Sequence, residues 1–182
     1  MTTFTHPSNP SILSHVQATW DHIRPNSSIY AHLLSDIRLV AATKGRIIAH
    51  LDVTPIHTNS KNILHGAVSG TLCDWAGGMA IAAETGLQKT GVSTDMHVSY
   101  CSTAKVGDTL EIEAWVGRAG KNLGFTGFEI RRGVTTVEGG KGPVVAMGSH
   151  TKFLLFGQTQ GQGKAEEQRE EEALIEKGDG AE

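Results

Sequence analysis

HGAVSGTLCDWAGGMAIAAETG, residues 65–86, is the stretch that decides the fold. It has helical length and closes on Thr85-Gly86, a stop signal because glycine tolerates the left-handed backbone that ends many helices. Val68, Leu72, Trp75, Ala76, Met79, Ala80 and Ala83 spread over more than one face. A surface helix would instead keep a charged stripe, and here Asp74 is the one acid before Glu84. The stretch therefore predicts a helix enclosed by other elements. Gly66, Gly70, Gly77 and Gly78 each lower helix propensity by about 1 kcal/mol relative to alanine. They fit a helix that another backbone, such as a wrapping sheet, approaches closely. A lone carboxylate on a buried helix is expensive unless it has partners or a task. Asp74 is the residue that any function must explain.

Downstream of the helix the period becomes two. Val92, Met96, Val98 and Tyr100 form one face of a strand, and Ser93, Asp95, His97 and Ser99 the other. Beyond a turn at Lys105-Val106-Gly107-Asp108, the residues Leu110, Ile112, Ala114 and Val116 alternate with Glu111 and Glu113. Further strands follow over residues 123–131 and 144–155, separated by a Gly-rich loop at 138–142. Short turns between consecutive strands predict antiparallel hairpins. Upstream, Ile37, Leu39 and Ala41, the Lys44-Gly45 turn, and Ile47, Ala49, Leu51 and Val53 give a hairpin. Residues 55–63 are a polar loop leading into the helix. Over residues 10–35, Ile12, Leu13, Val16 and Trp20 follow the helical period until Pro25, and Ile29, Leu33 and Leu34 suggest a second short helix. The economical architecture is α+β, a curved antiparallel sheet wrapped around one long central helix. Three regions result: a peripheral N-terminal helical segment (1–35), one domain (36–156) and an acidic tail (157–182) whose composition predicts disorder.

A length of 182 residues, 38% of them hydrophobic and 19% charged, fits one soluble domain with a real core. No apolar run approaches the roughly 20 residues that span a bilayer. The first ten residues lack the marks of a secretory signal and the arginines of a transit peptide, so a cytoplasmic location is expected. Cys73 and Cys101 are too few for a disulfide framework and read as packed thiols. From Gly157 onward there are eight acids and three bases, whereas the body holds 13 bases and 11 acids. That faintly basic body suits a small anionic ligand and is far too weak for a nucleic-acid surface. His50, His57, His97 and His150 fall on separate elements without metal-ligand spacing, so no metal and no cofactor is expected.

Asn59, Leu64-His65-Gly66, Leu72-Cys73-Asp74, residues 91–96 (GVSTDM) and Lys105-Val106-Gly107-Asp108, in this order and spacing, resemble the hotdog-fold acyl-CoA thioesterases. Within these the chain is most similar to the PaaI-like, thioesterase superfamily member 2-like group. The likeness runs from about Ile37 to Phe156 and takes in the 120–125 turn (GKNLGF) and the 148–152 strand (GSHTK). The chain departs from the group in its longer N-terminal region, in Ala67 where a second glycine is frequent, and in the acidic tail.

The residues bear the chemistry that this resemblance implies. An attacked thioester carbonyl gathers negative charge and needs fixed donors. The Gly66 amide at a helix start is such a donor, backed by the helix dipole. Asp74 would act as general base on water or as nucleophile. Ser93 would hold the water or the carboxylate, and Asn59 with His65 would orient the thioester. Each has a plainer alternative: His65 as a cap, Asp74 as a structural acid, Ser93 as an ordinary strand serine, Asn59 as a loop residue. The family further implies cations for the coenzyme A phosphates, with Lys121 the preferred candidate and Arg118, Lys105, Arg131 and Lys152 beside it. Gly66 and Asp74 lie eight residues apart, so about 12 Å along one helix at about 1.5 Å per residue. One carbonyl cannot touch both in one chain, which calls for a homodimer. The resemblance implies the same, often as a dimer of dimers, a homotetramer. A hydratase or dehydratase of the same fold and a non-catalytic acyl-CoA binding module are the alternative functions. The first lacks its Asp-then-His order here, and the second would not need a buried acid.

Overall fold

The computed structural model describes residues 7–135 and 140–154. At its centre lies α3 (Gly66–Thr85), capped by His65, whose Nδ1 accepts the Ala67 N–H, and ended by Gly86 at φ 68°. Between Leu72 and Ala83 every residue except Asp74 is buried, as the all-round apolar pattern requires. The strands β1 (Arg38–Thr43), β2 (Arg46–Asp52), β3 (Val92–Tyr100), β4 (Thr109–Ala119), β5 (Leu123–Arg132) and β6 (Val144–Phe153) form one sheet in the order β1-β2-β4-β5-β6-β3. Every neighbouring pair is antiparallel. The fold is α+β, a six-stranded sheet packed around a long central helix.

Hairpins join β1 to β2, β4 to β5 and β5 to β6, but not β3 to β4. The strand after the helix sits at the far edge, beside β6. There α3 acts as a crossover, and the chain returns through the 105–108 turn along the end of the sheet. The return is pinned where the Leu64 N–H meets the Ala104 carbonyl and the Val53 N–H meets the Asp108 carbonyl, both at 2.8 Å. Periodicity alone could not distinguish this path from a hairpin.

The N-terminal segment, α1 (Pro10–Ile23) and α2 (Ser28–Leu33), packs on α3 and contributes Val16 and Trp20 to the core. Trp20 stands edge-on to Trp75 and to Tyr30, with centroids 5.5 and 5.8 Å apart. Cys73 is buried as expected, but Cys101 is exposed and is not a packed thiol of this chain. The acidic tail at 157–182 and part of the 138–142 loop lie outside the described residues. Among the described residues no helix is long and apolar enough to cross a membrane.

Candidate active site

Asp74 is where the buried helix meets solvent, its side chain 35% exposed. Three donors converge on it. The Tyr30 hydroxyl donates to Oδ2 at 2.5 Å, while the Ser93 hydroxyl and the Lys152 ammonium each donate to Oδ1 at 2.9 Å. Lys152 also reaches the Ser93 oxygen at 3.4 Å. His150 lies deeper, 1% exposed, with Nε2 3.7 Å from Oδ1. Burial by itself would raise the Asp74 pKa, but the Tyr30 and Lys152 hydrogen bonds, the Lys152 charge and Ser93 bring it down to about 2. The carboxylate is thus fully ionised at neutral pH. Burial, the Asp74 hydrogen bond and the Asp74 charge hold the Tyr30 phenol well above its ordinary range, so it remains a donor. Burial and the Lys152 ammonium hold His150 below the usual histidine value, which favours its neutral form. Next door, burial and the Asp74 charge push the Cys73 thiol up to about 12, leaving it unreactive.

Strand register explains how Ser93 arrives there. Simple alternation puts Ser93 on the face of Asp95 and His97. A bulge between Ser93 and Asp95 reverses this: Ser93 pairs with Lys152, Asp95 with Thr151 and Met96 with His150. Residues directly opposite share a face. Ser93 therefore joins Lys152, His150 and Met96 on the helix side, a change of face that one inserted residue produces. A groove of about 470 Å³ opens above Asp74, with Ile29, Tyr30, Gly70, Thr71, Ser93 and Met96 in its walls.

The other sequence-predicted residues gather at the start of α3. His65 spends Nδ1 on the Ala67 N–H at 3.0 Å, which in the neutral ring leaves the proton on Nε2. The Gly66 amide donates to no other group among the described residues, whereas the Val68 amide is taken by the His65 carbonyl. The Tyr100 ring covers Gly66, and a Cβ there would lie 3.3 Å from it. Asn59 turns its own loop, its Oδ1 accepting the Lys61 N–H at 2.9 Å. The chain thus carries two clusters, Asn59, His65 and Gly66 at the helix start and Asp74 with Ser93 two turns later, and does not bring them together.

Of the cations proposed for phosphate, Lys105, Arg118 and Lys121 are exposed. Arg131 is committed to Glu129 at 2.6 Å and to the Gly142 carbonyl at 2.7 Å. Lys152 is no surface lysine, being 4% exposed and bonded to Asp74, so its assignment to phosphate is corrected. The histidines are equally dispersed: His57 bonds the Leu33 carbonyl, His50 meets Glu111, and His97 meets Ser99. Tyr30, Lys152 and His150 are the neighbours of Asp74 that sequence reasoning missed. Tyr30 lies 44 residues upstream of Asp74 and had no spacing signal. The other two follow from the strand pairing.

The chain is similar to several known proteins. The Thioesterase superfamily profile matches residues 61–138. Human acyl-coenzyme A thioesterase 13 is 37% identical over 125 residues, covering 69% of this chain and 84% of that protein. A putative esterase of Schizosaccharomyces pombe is 31% identical over 148 residues, 81% of this chain and 87% of its own. The crystal structure of zebrafish thioesterase superfamily member 2 superposes with a TM-score of 0.64 at 29% identity, covering 82% of this chain and 99% of that one.

Proposed function

This chain belongs to the thioesterase superfamily, and from that we propose that it hydrolyses acyl-CoA to a free carboxylic acid and coenzyme A, at sites shared between two copies of itself. The observation that carries the reading is the ionised Asp74, held by three donors on the floor of an open groove. A perturbed carboxylate with specific charged and hydroxyl partners, placed in a cleft, is a signature of a functional site.

In the reaction, the thioester carbonyl receives the Gly66 amide of one copy, and Asp74 of the other copy faces the carbonyl carbon. Asp74 takes a proton from attacking water, or attacks directly; both routes need the ionised carboxylate. The oxyanion of the tetrahedral intermediate is stabilised by the Gly66 N–H and the positive end of α3. Collapse expels the coenzyme A thiolate. On the base route the thiolate takes the proton that Asp74 removed from water. On the direct route it leaves an anhydride on Asp74 that water then hydrolyses to the free acid, its proton passing to the thiolate. The His65 Nε2–H and the Asn59 amide orient the thioester, and Ser93 holds Asp74 and the incoming water. Lys121, Arg118 and Lys105, the exposed candidates, receive the coenzyme A phosphates.

The pairing of copies is supported by what one chain leaves uncovered. The solvent-facing line of α3, exposed Ala67 with half-buried Gly70, Thr71 and Asp74, runs beside the edge strand β3. On that strand Met96 and Tyr100 are 46% and 62% exposed. A nine-residue edge strand with bare apolar side chains is a surface that proteins ordinarily cover.

Replacing Asp74 by Asn keeps the shape and removes the charge. Thiol release from a panel of acyl-CoAs is expected to fall at least about a hundredfold, with binding of a non-hydrolysable analogue retained. A folded Asp74→Asn protein that turns over near the wild-type rate would sink the mechanism.

A further inference from the structure

We propose that Tyr30 is a positioning residue of this reaction, its hydroxyl fixing the Asp74 carboxylate so that the N-terminal helical segment is a working part of the site. This rests on the reading of Asp74 as base or nucleophile. Ser93 and Lys152 both bond Oδ1, whereas Tyr30 is the described donor to Oδ2. The terminal torsion of an aspartate is broad and intrinsically loose. Anchors on one oxygen leave the plane free to swing about it, and an anchor on each oxygen fixes the plane. Tyr30 therefore decides in which direction the remaining lone pairs point.

The phenol is itself held before any substrate arrives. Its ring meets Trp20, which is 1% exposed and stands against Trp75 of α3. Its backbone N–H bonds the Ser27 hydroxyl, the cap of α2, at 3.4 Å. A reacting group supported by locked neighbours is held in productive geometry. Ser27, the cap, and Ile29 of the same short helix form the groove wall next to Tyr30. The phenol stays protonated because burial and the Asp74 charge oppose its ionisation, so the donor is constant across working pH.

The test is a cycle of Tyr30→Phe, Asp74→Asn and the double variant, with kcat and KM from thiol release on one acyl-CoA. Tyr30→Phe keeps the ring and removes the hydroxyl. In the wild-type background kcat is expected to fall about tenfold, the loss of one hydrogen bond to a charged group, with KM within about twofold. In the Asp74→Asn background the same change is expected to alter the residual rate less than about twofold, because Tyr30 acts through the carboxylate. A folded Tyr30→Phe enzyme with unchanged kcat overturns the proposal. Equal losses in both backgrounds, a rise in KM without loss of kcat, or failure of the Phe variant to fold would make Tyr30 architectural and overturn it as well. If Asp74→Asn alone keeps its rate, the reading of Asp74 fails instead, a separate and visible outcome.

Discussion

Asp74 is buried enough that its pKa would rise, yet Tyr30, Lys152 and Ser93 bring it down to about 2. That ion and its lysine leave His150 caught between opposite charges in a dry place, and burial with Lys152 keeps its pKa below normal. The two residues affect stability in different pH windows. The unfolded chain takes up a proton on histidine near pH 6.5, whereas the folded state resists. His150 thus contributes stability above about pH 6.5 that is lost as pH falls from there through its lowered folded value. Asp74 contributes stability above about pH 3.8 that is lost as pH falls from there toward 2. Of these two groups, His150 is the one that acts between pH 7 and 5. The melting temperature is expected to decline over that interval, and to decline less in a His150→Gln variant. Parallel melting-against-pH curves for the two proteins would refute the assignment.

The packing of α3 on the sheet turns on glycine where two surfaces touch. A Cβ at Gly77 would lie 2.9 Å from Thr126 Oγ1 and 3.0 Å from His150 Nδ1, both on the strands behind the helix. Helix propensity favours alanine there by about 1 kcal/mol. Overpacking opposes it by about 1–3 kcal/mol, since neither neighbour is the far end of a flexible side chain. The clash should win. Gly77→Ala is expected to lower stability in urea melts by about 1 kcal/mol, and to lower kcat because His150 adjoins Asp74. A Gly77→Ala protein more stable than wild type would mean that helix and sheet are not in contact at this point. The bulge in β3 operates at the same scale, since moving Ser93 to the helix side is what gives Lys152 and Asp74 their hydroxyl partner.

For the whole molecule, the separation of Gly66 from Asp74 makes a quantitative demand. Asp74→Asn removes the base, and Gly66→Pro removes the amide donor. Proline suits this position because Gly66 is the first helical residue and His65 before it has φ −72° and ψ 132°, the extended backbone that precedes proline well. Each variant alone is expected to form inactive dimers. In a mixed dimer one site receives both defects and the other neither. Random pairing from equal amounts makes half the dimers mixed, each with one good site of two, so activity should recover to about one quarter of wild type by two-fold symmetry. The measurement is thiol release after subunits have exchanged, with dimers of both parents verified by light scattering. Verified mixed dimers as inactive as their parents would show that the site is not shared in this way.

The sequence by itself determined the central helix, its stop at Gly86, the presence of six strands and the singular position of Asp74. These depend on local periodicity, on glycine at one left-handed position and on the energetic oddity of one acid among apolar residues. The resemblance carried by residues 59–108 likewise lies in the linear order of a few side chains. Tertiary structure alone decided that β3 crosses to the far edge, that Ser93 faces the helix, that Lys152 is a buried partner of Asp74 and that Tyr30 reaches the same carboxylate from the N-terminal segment. Pairing partners, register shifts and contacts across dozens of residues are set by how whole elements pack, and a change of one residue in register reverses a face without changing the composition of the strand.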